Sequence, residues 1–520
     1  MLKNIVNIKL VIALFCIYSC SQGQKKEKPK DNTTLNSKEK LNVLFIIADD
    51  LNCDLGAYGN LVVKTPNIDR LAERGVLFEN AHSQYPWCGP SRASFMTGMY
   101  TNQTKIIRNN MNLRNSVPDV ITLGQRFRQQ GYQSVRIGKI FHYDNPSAIG
   151  TSGNDDIYSW DQTVNPYGRD KIEEYKIHTL KARKYGGTLS WLAADGKDEE
   201  QTDGIAASEA IKKLDEFASK DTPFFLAVGF FRPHTPFVAP QKYFDLYDQE
   251  KIEIPEIPSD YLANLPEPAI KSIRAKKDQL NIETELAQEI KEAYYATISF
   301  VDAQLGRILD RLEVNGLDKN TVVVFTSDHG YHLGEHGHWQ KNTLFENATR
   351  TPLIISAPNS ENKGVKCMSP VELIDLYPTL MDLTEIKPPE HVVGKSLEPL
   401  MKNVNASVRG SALTRWRKGY SIKTKRYRLT KWGSNGELGY ELYDHKNDKN
   451  ELINLASNQD YNEVLDSLKL VIEQRIADAS IKPIGVGRQF ENVKPIPKAK
   501  NITFGDIHDT NSEILHLKNK

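Results

Sequence analysis

Residues 41–50 read LNVLFIIADD, a continuous apolar run that ends abruptly in two carboxylates. A run of this length without polar alternation is typical of a strand that is buried on both faces of a parallel sheet. The chain contains two more such runs: PFFLAVGFF, which leads toward His234, and TVVVFTSDHG, which contains Asp328 and His329. Because parallel strands bring their carboxyl ends to one edge of a sheet, these polar side chains are predicted to lie together.

Predicted helices separate these strands along the chain. Helical patterns cover residues 205–218 and 283–314, and SPVELIDLYPTLMDLTEI, from Ser369, is predicted to be one amphipathic helix. Strands that alternate with helices predict an α/β fold with a large, mostly parallel sheet sandwiched by helices. After about Val393 the pattern changes to short strands followed by a helix near 464–477, which predicts a smaller C-terminal subdomain with an antiparallel sheet.

The 520 residues are predicted to fall into consecutive segments with different roles. These are a signal peptide (1–20), a flexible tether (21–40), a catalytic α/β domain (41–392), a C-terminal subdomain (393–480) and a C-terminal extension (481–520). The chain carries 67 basic and 66 acidic residues, and this balance excludes a global attraction to nucleic acid or to an anionic membrane. Anion binding is therefore expected to be local, and no nucleic acid partner is predicted.

The N-terminal sequence, MLKNIVNIKLVIALFCIYSC, has two lysines before an apolar core that is too short to span a membrane. This pattern is typical of a secretory signal, and because it ends at Cys20 it resembles a bacterial lipoprotein signal with Cys20 as the lipid anchor. An ordinary signal peptide that is cut nearby is the alternative. The protein is expected to be exported, as a periplasmic protein or a membrane-anchored lipoprotein of a bacterium, with the Lys-rich segment 21–40 as a tether.

Three cysteines remain after the predicted signal: Cys53, Cys88 and Cys367. An odd number of widely separated cysteines does not predict a disulfide framework in an exported protein, although one pair is left open. At least one thiol is therefore left over.

Asp49 and Asp50 form the most specific polar signal at the strand ends. Neighbouring carboxylates repel each other unless a cation lies between them. Together with Asp328 they form an oxygen-rich group that suits a hard divalent ion such as calcium. For any one of these residues alone, a helix cap or a turn is the alternative.

Residues 86–98, PWCGPSRASFMTG, place Cys88 just before a proline and a predicted helix start. The letters CGPSR from Cys88, continued by FMTG, match the signature C-x-P-S-R of the type I sulfatases of the alkaline phosphatase-like superfamily. The resemblance covers about residues 41–456, and GKIFH, FRPHTPF and SDHGYHLGEHGHWQK are most similar to the iduronate-2-sulfatase-like branch. It implies that Cys88 is oxidised to formylglycine by a formylglycine-generating or anaerobic sulfatase-maturating enzyme; an inert buried thiol is the alternative.

The same resemblance implies one calcium ion per chain, bound by residue 88 together with Asp49, Asp50, Asp328 and His329. His329 departs from most sulfatases, which have asparagine at this position, and a nitrogen ligand is unusual for calcium. The iduronate-2-sulfatase-like branch shares the histidine. The alternative is that His329 only forms a hydrogen bond nearby.

The resemblance also implies the roles of the catalytic residues. Cys88 is the precursor of the nucleophile, Arg92 holds the hydrated aldehyde at position 88, and His142 lies next to that hydrate. Lys139 and Lys341 contact sulfate, and His234 lies next to the leaving oxygen. A hydrated aldehyde at position 88 carries two hydroxyls, of which one attacks sulfur and the other later loses its proton so that sulfate is released. Arg92 lies four residues after Cys88, and this spacing puts both on one helical face.

These residues predict a sulfatase that hydrolyses sulfate esters of carbohydrates, on oligosaccharides from sulfated polysaccharides. A sulfated uronic acid or a related sugar is expected, with Arg232 and Lys341 as candidate contacts for the uronate carboxylate; an ion pair with a structural aspartate is the alternative for Arg232. A phosphodiesterase or phosphatase of the same superfamily would normally have Ser or Thr in place of Cys88 and more histidine ligands for two zinc ions. A non-catalytic glycan-binding lipoprotein would have no reason to keep the charged groups.

The crowded histidines 332, 336 and 338 are interpreted as pocket lining, with a zinc site as the alternative.

Overall fold

The computed structural model describes residues 40–182, 184–358, 360–491 and 493–496 of the chain. These residues belong to one compact unit, Lys40–Lys520. The predicted signal peptide, the lipid anchor at Cys20 and all but the last residue of the predicted tether lie outside the described residues. No described helix combines the length and the apolar content that a membrane span requires.

Short and long strands occur throughout the described residues. They are β1 (Asn42–Asp49), β2 (Val76–Phe78), β3 (Ala81–His82), β4 (Gln133–Gly138), β5 (Gln162–Val164), β6 (His178–Thr179), β7 (Ser190–Ala194), β8 (Phe224–Pro233), β9 (Phe237–Pro240), β10 (Thr321–Ser327), β11 (His332–Leu333), β12 (Trp339–Gln340), β13 (Arg350–Thr351), β14 (Leu353–Ser356), β15 (Val365–Cys367), β16 (Val371–Glu372), β17 (Ala412–Trp416), β18 (Gly419–Lys423), β19 (Tyr427–Trp432) and β20 (Tyr440–Asp444).

The α-helices of the described residues alternate with these strands through most of the chain. They are α1 (Pro66–Glu73), α2 (Cys88–Thr97), α3 (Thr101–Thr104), α4 (Leu113–Ser116), α5 (Leu123–Gln129), α6 (Arg169–Ile172), α7 (Thr202–Ala218), α8 (Gln241–Phe244), α9 (Glu267–Ile273), α10 (Thr284–Val314), α11 (Glu346–Thr349), α12 (Leu376–Leu383), α13 (Glu398–Lys402) and α14 (Asn462–Ser480).

An eight-stranded sheet in the order β15-β2-β14-β10-β1-β8-β4-β5 forms the centre of the molecule. Strands β10, β1, β8, β4 and β5 run parallel, and β14 pairs antiparallel with both of its neighbours. The strands predicted from LNVLFIIADD, PFFLAVGFF and TVVVFTSDHG are the adjacent strands β1, β8 and β10. The predicted mostly parallel α/β sheet is therefore confirmed.

Helices cover both faces of this sheet, which explains the unbroken apolar run in β1. Leu44, Ile46 and Ala48 pack in a core with residues of α1, α7 and α10. Val43 and Phe45 pack in the opposite core with residues of α2, α5 and α12. Because successive residues of a strand point to opposite faces, a strand buried on both faces must be apolar at each position.

The prediction of one amphipathic helix from Ser369 is wrong for the residues before Leu376. Residues Val371–Glu372 form β16, which pairs with β3, and the α-helix begins only at Leu376. Pro378 accounts for the later start, because it lies in the first turn of α12, where its missing N–H is tolerated. In a helix that began at Ser369 the same proline would interrupt the interior.

Strands β17, β18, β19 and β20 form an antiparallel sheet in sequence order. Helix α14 packs against it through Leu465, Leu468 and Ile472. The predicted C-terminal antiparallel sheet and closing helix are confirmed, and the domain boundary near residue 393 stays a prediction. Trp416 of β17 packs edge-on against Trp87, the residue before α2, so this sheet reaches the start of that helix.

Residues 481–496, here called the C-terminal strap, run back from α14 to the α/β core. Val486 is 0% exposed and packs in the core that also contains α2. The amide of Phe490 donates to the Ser116 carbonyl, at 2.8 Å, and the amide of Ile496 donates to the Asn110 carbonyl, at 2.7 Å. The strap therefore packs on the segment that follows α2, although its sequence has no pattern that predicts a helix or a strand.

Candidate active site

The carboxyl ends of three adjacent strands meet at one edge of the central sheet. Strand β1 lies between β10 and β8, and Asp49 at the end of β1 is in register with Pro233 at the end of β8. His234 follows β8 directly, and Asp328 and His329 follow β10 directly. The predicted convergence of these polar residues follows from the order of the strands.

Asp50 lies in a sharp turn at the end of β1, with a φ of 64°. Aspartate is one of the few residues with a side chain that tolerate this left-handed conformation. The Asp50 amide donates to Oδ1 of Asp328, at 3.1 Å, and the Tyr294 hydroxyl donates to the Asp50 carbonyl, at 2.8 Å. These bonds fix the backbone between the two neighbouring carboxylates.

The structure brings all predicted metal-binding residues into two overlapping groups. One group contains Asp49, Asp50, Cys88 and His234, and the other contains Asp50, Cys88, Asp328 and His329. Within each group the candidate ligand atoms lie within 4.8 Å of one another, and all of these residues are buried. Three converging carboxylates fit a hard divalent cation.

His329 is oriented as a metal ligand would be. Its Nδ1 lies 2.9 Å from the Gly330 carbonyl, which can only accept, so Nδ1 carries the hydrogen and Nε2 has a free lone pair. Nε2 lies 3.3 Å from Sγ of Cys88 and 3.4 Å from Oδ1 of Asp50. A backbone carbonyl that fixes the histidine tautomer is typical of metal-binding histidines. This geometry is compatible with a ligand role, which stays a prediction, with a hydrogen bond alone as the alternative.

Three cationic side chains balance the buried carboxylates. Arg92 bonds to Asp49 and Asp328, each at 2.9 Å. The amine of Lys139 donates to the second oxygen of Asp49, and the amine of Lys341 donates to both oxygens of Asp50. Charges this deep must be paired, because an isolated buried ion is strongly disfavoured.

The three carboxyl groups differ in acidity. Burial raises the pKa of Asp49, but the charges of Lys139 and Arg92 outweigh burial and hold the pKa well below its ordinary value. Burial likewise opposes ionisation of Asp328, and the Arg92 charge keeps its pKa low. Burial raises the pKa of Asp50 above its ordinary value, even with Lys341 beside it. A cation at this site would favour the ionised form of Asp50.

Cys88 is the first residue of α2, as the sequence predicted, and it is fully buried. Its Sγ lies 3.5 Å from the Lys341 amine and 3.7 Å from an Asp50 oxygen. Burial raises the pKa of the Cys88 thiol well above its ordinary value, so the thiol is protonated at neutral pH. An unmodified Cys88 is therefore not an activated thiolate nucleophile.

Two histidines lie on the remaining sides of the site. The His234 Nδ1 lies 2.6 Å from the Thr235 carbonyl, which leaves Nε2 facing Asp50 at 3.7 Å. Burial lowers the pKa of His142 to about 4, and its Nε2 lies 3.2 Å from Asp144. The Nδ1 atom of His142 is buried and has no hydrogen-bond partner among the described residues. Burial also lowers the pKa of His234 well below its ordinary value, so both imidazoles are neutral at neutral pH and each has a ring nitrogen that can accept a proton.

One of the residue assignments from sequence needs correction, and a second stays untested. The Nη2 of Arg232 lies 2.7 Å from a carboxylate oxygen of Asp170, and the pair is buried. The alternative of a structural ion pair is therefore correct, and Arg232 is not placed to bind a uronate. Arg92 directs its bonds to two carboxylates and to the carbonyls of Lys139 and Ile140, so its contact with residue 88 stays a prediction.

The three crowded histidines pack inside the protein. Nε2 of His332 lies 2.7 Å from the Thr343 hydroxyl, and His336 stacks on Phe345 with ring centroids 3.9 Å apart. His338 lies between two backbone carbonyls. Among the described residues the groups that could bind a metal ion do not include these histidines. The alternative of a zinc site finds no support here.

Sequence reasoning missed two tyrosines that support the site. Tyr294, on α10, bonds to the backbone of Asp50 and Asn52. Tyr331 stacks on Tyr294 at 5.2 Å between ring centroids, and its buried hydroxyl has no partner among the described residues. Neither residue stands in a recognisable motif. Cys53 and Cys367 are free thiols, so the disulfide pair that the sequence left open does not form.

Comparisons with known proteins agree with this geometry. The family model described as Sulfatase matches residues 41–386, and a model described as N-sulphoglucosamine sulphohydrolase, C-terminal, matches residues 334–478. A sulfatase of Formosa agariphila is 35% identical over 473 residues, which cover 88% of this chain and 90% of the relative. Human iduronate 2-sulfatase is 33% identical over 429 residues, covering 74% of this chain and 75% of the relative.

The fold is also shared with solved structures. The phosphonate monoester hydrolase of Agrobacterium radiobacter has a TM-score of 0.71 and 24% sequence identity, covering 85% of this chain and 96% of that chain. At this identity the likeness shows the fold alone. The family match and the two sulfatase relatives go further: the chain belongs to the sulfatase family and is a sulfuric ester hydrolase.

Proposed function

We propose that this protein hydrolyses sulfate esters of carbohydrates, using a formylglycine made from Cys88 and one bound calcium ion. The observation that carries the proposal is the position of Cys88, which is the first residue of a helix and whose Sγ lies among three carboxylates, two histidines and a lysine. The sulfatase relatives support a sulfate ester, and the human relative, named iduronate 2-sulfatase, supports a sugar that carries it.

The thiol of Cys88 fits the role of a precursor. Its raised pKa and full burial make it a poor nucleophile, and as a soft ligand it is an uncommon partner for a hard cation. Oxidation by a formylglycine-generating or anaerobic sulfatase-maturating enzyme would replace it with an aldehyde, whose hydrate supplies one hydroxyl for attack and one for the release of sulfate. Both hydroxyls are oxygen atoms, which suit the metal site better than sulfur.

The divalent ion would be held by Asp49, Asp50, Asp328 and His329, with the oxygen of residue 88. When bound, it supplies Lewis-acid chemistry by neutralising charge on sulfate and lowering the pKa of a bound hydroxyl. The three carboxylates favour calcium or another hard cation over a soft metal. His329 is the exceptional ligand, and its fixed tautomer supports that role.

Lys139 and Lys341 are proposed to bind sulfate oxygens when substrate is present. Each amine bonds to one of the strand-end carboxylates, on opposite sides of the Asp49–Asp50 pair. A cation that binds these carboxylates would free both amines for the sulfate. Arg92 is proposed to keep Asp49 and Asp328 in place.

His234 is proposed to take up a proton at Nε2 and then give it to the leaving sugar oxygen, and His142 is proposed to accept a proton from the hydrate. In His234, Nδ1 is occupied by the Thr235 carbonyl, so Nε2 is the nitrogen that can exchange a proton. In His142, Nδ1 has no hydrogen-bond partner among the described residues and can accept a proton. A positioned proton donor or acceptor typically accounts for roughly two to four orders of magnitude in rate.

The proposal extends to the location of the enzyme. The signal-like N-terminus supports export, with Cys20 as a candidate lipid anchor in a periplasmic or membrane-attached protein that acts on sulfated polysaccharide fragments. We keep the division into a catalytic domain (41–392), a C-terminal subdomain (393–480) and an extension (481–520) as part of this proposal.

The direct experiment compares the wild-type protein with Cys88→Ala, both made together with a maturation enzyme. Release of sulfate from sulfated oligosaccharides should be lost in Cys88→Ala and retained in the control Cys367→Ala, which changes a buried free thiol elsewhere. Phosphate diesters and phosphonate monoesters should be tested in parallel, because the fold alone is also compatible with them. Faster turnover of these esters than of every sulfate ester would overturn the proposal.

A further inference from the structure

A loop of residues 184–188, KYGGT, lies next to the residue that follows His234. Thr235, the residue after His234, donates from its hydroxyl to the Gly186 carbonyl, at 3.2 Å. Gly186 itself lies against Asn145: a Cβ at this position would be 1.6 Å from the Asn145 carbonyl oxygen. Only glycine allows this approach, so the loop is fixed beside the histidine that serves the leaving oxygen.

A second segment, residues 273–278, joins this loop to the sulfate-binding side. The Lys276 amine donates to the Gly187 carbonyl, at 2.7 Å. His338 connects the same segment to Lys341, since its ring nitrogens lie 2.8 Å from the carbonyl oxygens of Ile273 and Lys341. Lys276 therefore lies between the loop and the lysine that bonds to Asp50.

The amines in this region outnumber the carboxylates that pair with them. The charge of Lys341 is taken up by Asp50, whereas the amine of Lys276 is bonded to a neutral carbonyl. Burial and the positive charges of Lys341 and Lys184 lower the pKa of Lys276, while the carboxylates of Asp278 and Asp50 act in the opposite direction. Neighbouring like charges are unfavourable unless an ion of opposite sign binds between them.

The loop also borders open space. A Cβ added at Gly187 would meet no atom within 4 Å, in contrast to the crowded Gly186. The carbonyl that accepts from Lys276 therefore belongs to Gly187, which borders open space and not the packed core. A ligand group can reach this position without displacing protein atoms.

We propose that Lys276, assisted by Lys184, forms a subsite for an anionic group on the sugar that leaves past His234. The anionic group is a carboxylate or a second sulfate of the same saccharide. This inference rests on the proposed carbohydrate sulfatase function and names the substrate class, an acidic saccharide, for that site. The subsite takes over the role that the sequence suggested for Arg232.

The test uses variants that separate charge from the bond to Gly187. Lys276→Gln keeps an N–H donor for the Gly187 carbonyl but removes the charge, and Lys276→Arg keeps the charge. Lys277→Gln is the matched control, because Lys277 is the exposed neighbour. Each is assayed on a sulfated saccharide with a uronate, on a disulfated neutral sugar and on a monosulfated neutral sugar.

Lys276→Gln should raise KM for the acidic substrates roughly tenfold or more, because a hydrogen bond to a charged group is lost. The value of kcat, and both constants for the monosulfated neutral sugar, should change less than about twofold. Lys276→Arg and Lys277→Gln should resemble the wild type. A larger rise in KM for the uronate saccharide would identify the bound anion as a carboxylate, and a larger rise for the disulfated sugar would identify it as a sulfate.

Equal losses on acidic and neutral substrates in Lys276→Gln would overturn the subsite, because they would show a structural role only. Unchanged kinetics on every substrate would overturn it as well. If the wild type releases no sulfate from any saccharide, the proposed function fails separately. Calorimetry with the uronate saccharide then still decides the subsite: Lys276→Gln should weaken binding, and equal affinity would overturn it.

Discussion

The Nε of Arg92 lies 2.9 Å from Oδ2 of Asp328, and neither side chain is exposed to solvent. The same guanidinium bonds to Asp49, so one residue of α2 joins the ends of two parallel strands. Arg92 lies one turn after Cys88, and its bonds therefore hold the start of the helix against the carboxylates that surround the thiol. A planar guanidinium can make these bonds together, whereas an ammonium group cannot.

Replacing Arg92 with lysine should weaken calcium binding at least tenfold and lower sulfatase activity. Lysine keeps the charge but cannot bond to Asp49 and Asp328 from one plane, so the carboxylates lose their fixed spacing. Calorimetric titration with calcium measures the affinity, with Arg128→Lys as a surface control. Calcium affinity equal to that of the wild type would contradict the role given to Arg92.

Replacing His234 with glutamine should slow the hydrolysis of sugar sulfates by roughly two to four orders of magnitude. An aryl sulfate such as 4-nitrophenyl sulfate should lose much less, because its leaving oxygen needs little protonation. The test is to measure kcat of the wild type and of His234→Gln on both substrates and to compare the two losses. A loss of the same size on both would show that His234 does not act as the proton donor.

Truncation after Ser480 should lower the stability of the catalytic core, because it removes Val486 and the backbone bonds of the C-terminal strap. The point variant Val486→Ala should by itself cost about 1–3 kcal/mol in the free energy of unfolding. Denaturant unfolding measures both effects. Truncation after Ile496 is the control that keeps every described contact of the strap. An unchanged midpoint in Val486→Ala would mean that the strap does not stabilise the fold.

Acid should destabilise the protein through Glu451, which bonds to Arg428 and His445. Burial opposes ionisation, but the Arg428 charge and the His445 hydrogen bond lower the pKa of Glu451 from 4.5 to about 2. A lowered folded-state pKa contributes stability above pH 4.5 that is lost as the pH falls toward 2.

Urea unfolding at a series of pH values should show this loss, with a smaller slope in Glu451→Gln than in the wild type. Arg428→Met should cost about 3–5 kcal/mol at neutral pH, because it leaves buried carboxylates without their partner. Identical slopes in the wild type and Glu451→Gln would exclude this group as a source of the acid sensitivity.

Parallel strands explain why so much of the site could be predicted. Each of β1, β8 and β10 has an apolar run that locates its end, and adjacent parallel strands must bring those ends together. The residues after these runs are therefore near one another regardless of the loop conformations, whereas the place of Cys88 beside them was predicted only from its signature.

Contacts between distant segments explain what could not be predicted. Arg232 pairs with Asp170, which lies in a short helix of the region between β5 and β6 and has no periodic pattern to reveal it. Lys276 and the C-terminal strap lie in segments without a strong pattern, and their places depend on hydrogen bonds to remote carbonyls. Spacing along a chain carries no information about such partners.

The mass of one peptide tests the central claim most directly. Trypsin should release residues 75–92, GVLFENAHSQYPWCGPSR, which contain position 88. In protein made together with a maturation enzyme, we expect this peptide to be lighter than the cysteine form by the exchange of a thiol for an aldehyde. We also expect the converted fraction to rise in proportion to sulfatase activity. Full activity in protein whose peptide carries only intact Cys88 would contradict the account.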